Sequence, residues 1–173
     1  MKNTFLKAVG GTAVVISMLV VFGQLSLRAQ GNEGQSDGSQ GSNSVARELV
    51  GVWDIIVTRR NCQTGAAIGT FTAMHTYASG GTLLDWGTGN PPSLRSPGHG
   101  IWNFENERRF STAFQFFRYN ADGTLAGKQT SRATLELGYD GNTYTTSGMG
   151  QVLDLNGNVI QVNCNTATAT RFR

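Results

Sequence analysis

The chain has 173 residues, with 14 lysines and arginines against 11 aspartates and glutamates, two histidines and two cysteines. Lys2, Lys7 and Arg28 lie in a stretch read below as a cleaved leader, which leaves 11 basic residues against 11 acidic ones in the remainder. That balance removes the electrostatic basis for nucleic-acid binding. Two cysteines are too few for a disulfide mesh to replace a core, and two histidines exclude a three-histidine zinc site.

Residues 1–29 read as an export signal: Lys2 and Lys7 form a basic start, Ala8 to Phe22 is mostly apolar, and Leu27-Arg28-Ala29 places a small residue at the cleavage point. The apolar run is short for a bilayer span, and no cysteine stands near the cleavage site for a lipid to modify, so no stable membrane anchor is expected. The expected location is the periplasm or outside the cell. The intact mass of the exported protein should match a chain starting near Gln30, and residues 1–29 retained in soluble material would contradict this reading.

Residues 30–46 follow as a linker. Gln30 to Ser44 holds glycine, serine, glutamine and asparagine with no large apolar side chain, and cannot bury enough surface to offset the entropy of ordering. Residues 47–173 remain for one domain with a core of its own. Helical periodicity is absent there, although Val45 to Leu49 has room for one turn.

Alternating apolar and polar residues predict eight strands at 50–60, 69–78, 81–86, 99–105, 108–119, 124–137, 142–153 and 159–172. The breaks between them include Ser79-Gly80-Gly81, Ala121-Asp122-Gly123, Asp140-Gly141-Asn142 and Asn156-Gly157-Asn158, which are hairpin signals. An even number of strands in a meander brings the first and last together antiparallel. The expected fold is therefore all-β, an eight-stranded antiparallel up-and-down barrel.

In an exported protein Cys62 and Cys164 are expected to form one disulfide. A register that sets them opposite each other sets Trp53 opposite Arg173, with Arg171 on a diagonal to Trp53. The segment 87–98 holds all three prolines and cannot be a central strand. Either a tolerated surface insertion or a loop over the barrel mouth is consistent with it.

Gly51-Val52-Trp53 at the head of the first strand, with Arg171 late in the last, resembles lipocalin-type (calycin) barrels. The resemblance implies that the arginine packs on the indole to seal one end, a physically reasonable cation–π contact. Arg60-Asn61-Cys62-x-Thr64-Gly65, Arg95-Ser96-Pro97-Gly98-His99-Gly100-x-Trp102 and Thr168-Ala169-Thr170-Arg171-Phe172 are similar to secreted bacterial lipocalin-like proteins, a match that implies fold and export and no activity. The chain departs from the wider family in lacking the central Thr-Asp-Tyr type of motif and a C-terminal helix. It also lacks the avidin tryptophan pattern and the last-strand histidine of a nitrobindin.

His99, between two glycines after the proline segment, is expected at the mouth together with Leu94. His75 alternates with Phe71, Ala73 and Tyr77 and so shares their face, while Phe110, Phe114 and Phe116 share a face of the fifth strand. Asp85 and Glu105 are the carboxylates available to a mixed metal site, but no tight ligand spacing such as HExxH occurs, and neither metal nor cofactor is expected. No GxSxG motif is present to suggest a serine hydrolase. Arg59, Arg118, Arg132 and Arg171 fall within strands; any that point inward need a carboxylate, an aromatic face or an anionic ligand. Arg60, Arg108 and Arg109, at strand ends, are expected in solvent.

The functional expectation is a barrel that binds a small apolar or lipid-like molecule, with His99, His75, Leu94, Phe114, Phe116 and Tyr77 as ligand-facing residues and Trp53, Arg171, Cys62 and Cys164 as structural ones. The alternatives are an isomerase or cyclase using His99 or His75, and a filled barrel acting through its surface as an inhibitor or interaction module.

Overall fold

The structure, a computed structural model, describes residues 44–173. The proposed signal, residues 1–29, and the linker up to residue 43 lie outside the described residues. A helical turn at 44–49 precedes eight strands: β1 (Gly51–Arg60), β2 (Ala67–Ala78), β3 (Thr82–Gly87), β4 (Gly98–Asn106), β5 (Arg109–Tyr119), β6 (Leu125–Leu137), β7 (Thr143–Leu153) and β8 (Val159–Arg171). Every strand pairs antiparallel with its sequence neighbours, and β8 returns to β1 to close the barrel. Closure leaves no unpaired sheet edge as a template for aggregation.

The β1–β8 register differs from the expected one by two residues: Trp53 pairs with Arg171 and Arg60 with Cys164. Cys62 lies past the end of β1 and reaches back to Cys164, with a Cα–Cα distance of 5.2 Å. A cross-link at a strand end does not demand directly opposed partners, and a shift of two leaves every side chain on its expected face. The disulfide closes a loop with a sequence separation of 102 residues, worth up to about 4–5 kcal/mol in the chain-entropy account. A Cys62→Ser, Cys164→Ser double variant should therefore unfold at clearly lower urea than the oxidised parent. The reduced parent should match the variant; a parent indifferent to reductant would contradict the assignment.

The end holding Trp53 is sealed. Trp53 is fully buried, donates Nε1–H to the Leu49 carbonyl at 2.9 Å, and carries the Arg171 guanidinium 4.3 Å from its ring centroid. Arg171 also donates to the carbonyls of Val50 (2.9 Å), Gly141 (2.8 Å) and Glu48. It thus satisfies the backbone where the helical turn enters the barrel. Gly51 is required beside it: its φ is +140°, and a Cβ there would stand 2.7 Å from Arg171 Nη1.

Arg108 and Arg60 are half-buried rather than solvated. Arg108 donates to the carbonyls of Leu137 (3.0 Å) and Gly138 and pairs with Glu48 at 2.7 Å, pinning the helical turn to the β6–β7 corner. Arg60 donates to Thr166 Oγ1 at 2.8 Å. A long flexible side chain at a strand end finds neighbouring carbonyls that sequence position does not reveal. Above the seal, aromatic rings fill the interior: Tyr144 packs on Trp53 (4.8 Å between centroids), and Tyr77 lies edge-on to Tyr144 and Trp102. The lower half of the barrel is solid.

Candidate functional site

The upper half is not. A cavity of about 240 Å³ opens between the aromatic floor and the far end of the barrel. Its walls are the inward faces predicted by strand alternation: Ile55 and Val57 on β1, Phe71, Ala73 and His75 on β2, and Phe114 and Phe116 on β5. On β6 to β8 the same faces carry small or amide side chains, among them Gln129, Ser131, Ala133, Gln161 and Asn163. In β8 the alanines 167 and 169 point inward and are buried, whereas Thr168 and Thr170 are exposed. Thr143 and Thr145 of β7 are likewise outside, and Thr146 lines the cavity.

The floor holds a connected polar group. His75 Nε2 lies 3.1 Å from Asp85 Oδ1, and His75 Nδ1 lies 3.1 Å from the Tyr77 hydroxyl, which in turn meets the Tyr144 hydroxyl at 3.4 Å. The other Asp85 oxygen, Oδ2, pairs with Arg95 Nη2. Burial by itself would raise the Asp85 carboxyl, but hydrogen bonding and charge from His75, with those of Arg95, outweigh it and hold the group below its ordinary value. Burial likewise drives the Tyr77 and Tyr144 hydroxyls well above the usual tyrosine range, so both stay neutral donors and acceptors. No buried side-chain polar atom among the described residues lacks a partner.

Arg95 comes from the proline segment, which is neither a free insertion nor a detached lid. β3 is short and pairs with β4 only over Thr82–Asp85, and the segment completes the wall beside them. Thr88 N donates to the Thr72 carbonyl, Ser96 N donates to the Phe117 carbonyl, and Arg95 bridges to Arg118 on β5. Arg95 is 6% exposed; its guanidinium lies 3.9 Å from the Phe116 ring centroid and donates to the Gly87 carbonyl at 3.3 Å. Gly98 makes the arrangement possible, because a Cβ there would sit 2.6 Å from Asp85 Oδ2.

The expected ligand-facing set divides. His75, Tyr77, Phe114 and Phe116 meet at the cavity; His99 and Leu94 do not line it. His99 is exposed on the outer face of β4, opposite Leu84 and Gln115, and Leu94 sits half-buried in a short 3-10 turn (Pro92–Leu94). The glycines flanking His99 serve the sheet rather than a ligand: a Cβ at Gly100 would collide with Ala113 and Phe114 of β5. His75 and Asp85 come together, whereas Glu105 is exposed and hydrogen-bonded to Ser111. Of the in-strand arginines, Arg59 and Arg118 line the cavity, Arg132 is exposed on the outside, and Arg171 seals the base.

Arg95 and the paired role of Asp85 were not singled out from sequence. The available signal was parity: Asp85 alternates with Leu83 and Gly87 on the inward face of β3, and a carboxylate there needs a buried cation.

No family model matches the chain, and no curated protein matches it. Among solved structures it is similar to the crystal structure of Rv2717c from M. tuberculosis, at 12% identity over 76% of this chain and 98% of that one, with a TM-score of 0.37.

Proposed function

We propose that this is an exported, lipocalin-like barrel of the periplasm or extracellular space that binds a small, largely apolar, lipid-like molecule in its open half. The observation that carries the proposal is the divided interior, solid below the His75 layer and hollow above it, with a cavity of about 240 Å³ walled by aliphatic and aromatic side chains on the β1, β2 and β5 side. An eight-stranded barrel is just wide enough to be filled or to hold one small ligand. That volume is well above the ~10–15 Å³ that a single water molecule needs, so it has room for a small organic molecule. The disulfide is consistent with export.

An acid–base role for His75 finds less support, because both of its ring nitrogens are already engaged by Asp85 and Tyr77. His99 faces away from the cavity. A protein acting only through its outer surface would have no need of the hollow half.

Native mass spectrometry of exported protein should show one co-purified small molecule per chain. An apolar fluorescent probe should bind the emptied protein one-to-one. Ala133→Phe, which fills the cavity from β6 at an overpacking cost of about 1–3 kcal/mol, should weaken the probe at least tenfold while the barrel stays folded by circular dichroism. Failure of the parent to take up any probe would overturn the proposal and leave a surface-interaction module in its place.

A further inference from the structure

We infer that the ligand carries a carboxylate, seated at Arg118 and Arg59 near the open end, with its apolar body lying on the aromatic wall below. This rests on the cavity reading above and adds the class of ligand.

Three arginines line the cavity, Arg59, Arg95 and Arg118, against a single carboxylate, Asp85. That carboxylate is fully engaged, with Oδ1 on His75 and Oδ2 on Arg95. Nothing anionic in the wall remains for the other two guanidinium groups. Arg59, which is exposed, donates to the Gly89 carbonyl at 3.0 Å and lies over the Phe71 ring, 5.3 Å from its centroid; neither contact supplies a counter-charge, and most of its donors stay free. Arg118 is half-buried, and among the described residues its guanidinium has no carboxylate, carbonyl or aromatic partner. Its backbone is bridged to that of Arg95, whose own guanidinium is already paired with Asp85.

A guanidinium cannot shed its charge by losing a proton. Charges of one sign at a concave mouth with low-dielectric walls focus a field that draws in an anion, and a carboxylate matches the guanidinium fork with two parallel hydrogen bonds. The orientation follows from β5, where Phe114, Phe116 and Arg118 alternate on one inward face. Along β5, polarity therefore rises from ring to cation toward the open end. Gln129 sits on the adjoining β6, paired with Phe116, and Gln161 and Asn163 add amide donors from β8. An amphiphile with its anionic head at the mouth and its tail on the phenylalanines fits that gradient; a neutral or cationic one does not.

Calorimetric titration of the emptied protein tests this with matched probes: octanoate against 1-octanol and octylamine, and 3-phenylpropionate against 3-phenylpropanol. The carboxylates should bind tenfold or more tightly than the alcohols, since hydrogen bonds between two charged groups are stronger than those to a neutral hydroxyl. Octylamine should bind worst, and raised salt should narrow the differences. Arg118→Gln should weaken the acids far more than the alcohols and so remove most of the preference, Arg118→Lys should retain part of it, and Arg59→Gln gives a second, independent variant. Equal affinity of acid and alcohol in the parent would overturn the carboxylate site and leave the cavity reading intact, as would a preference untouched by either arginine variant. Binding of none of the five probes would overturn both.

Discussion

Trp53→Ala is expected to destabilise the barrel by about 3–5 kcal/mol, the range for removing a large buried aromatic. That is a large part of the stability of a domain this size. The indole is fully buried and reaches three things at once: the Leu49 carbonyl, the Tyr144 ring and the Arg171 guanidinium. Arg171→Ala should cost less by itself, because part of that side chain stays in contact with solvent. Its cost should shrink further in the Trp53→Ala background, since residues that share a contact do not behave additively. Urea denaturation of the two single variants and the double variant measures the coupling. Strict additivity would show that the cation and the ring do not support each other.

The second large effect is expected at Asp85. Asp85→Ala leaves the Arg95 guanidinium in the interior without a counter-charge, and breaking a buried pair from one side typically costs about 3–5 kcal/mol. The partner variant, Arg95→Ala, should cost less, because Asp85 keeps its hydrogen bond to His75. A pH dependence follows. The folded-state pKa of Asp85 is held below its ordinary value, burial opposing the shift and His75 and Arg95 driving it. For a depressed acid the stabilisation is complete above the unfolded pKa and is lost as pH falls through the folded one. The parent should therefore lose melting temperature as pH falls through and below the ordinary carboxylate range, and Asp85→Asn should lose less over the same interval. The acid limb should not vanish, because hydrogen bonds in the turns also hold Asp122, Asp140 and Asp154 low. An unchanged limb in Asp85→Asn would show that the pair contributes nothing at neutral pH.

Sequence alone determined the skeleton. Alternation and turn chemistry placed all eight strands within two residues of their observed ends, because each strand has one face in the interior and one in solvent, and that constraint is written residue by residue. The cysteines and Gly-x-Trp marked which strands meet and which end is sealed. It also placed His75, Tyr77, Phe114 and Phe116 on inward faces, since parity within a strand is a local property.

Tertiary structure decided what parity does not contain. The register between β1 and β8 came out two residues away from the cysteine alignment, because the disulfide forms beyond the strand end. His99 was expected at the mouth from its glycine neighbours, but those glycines make room for Asp85 and for the β5 backbone, and the imidazole is left outside. Arg95 looked like a loop residue in a proline-rich segment. The short β3–β4 pairing leaves room for that segment in the wall, and its backbone bonds to β2 and β5 hold the guanidinium inward on Asp85. The balance of charge across the cavity was hidden for the same reason. It is set by which side chains from five distant segments converge, and convergence is a property of the closed barrel rather than of any one strand.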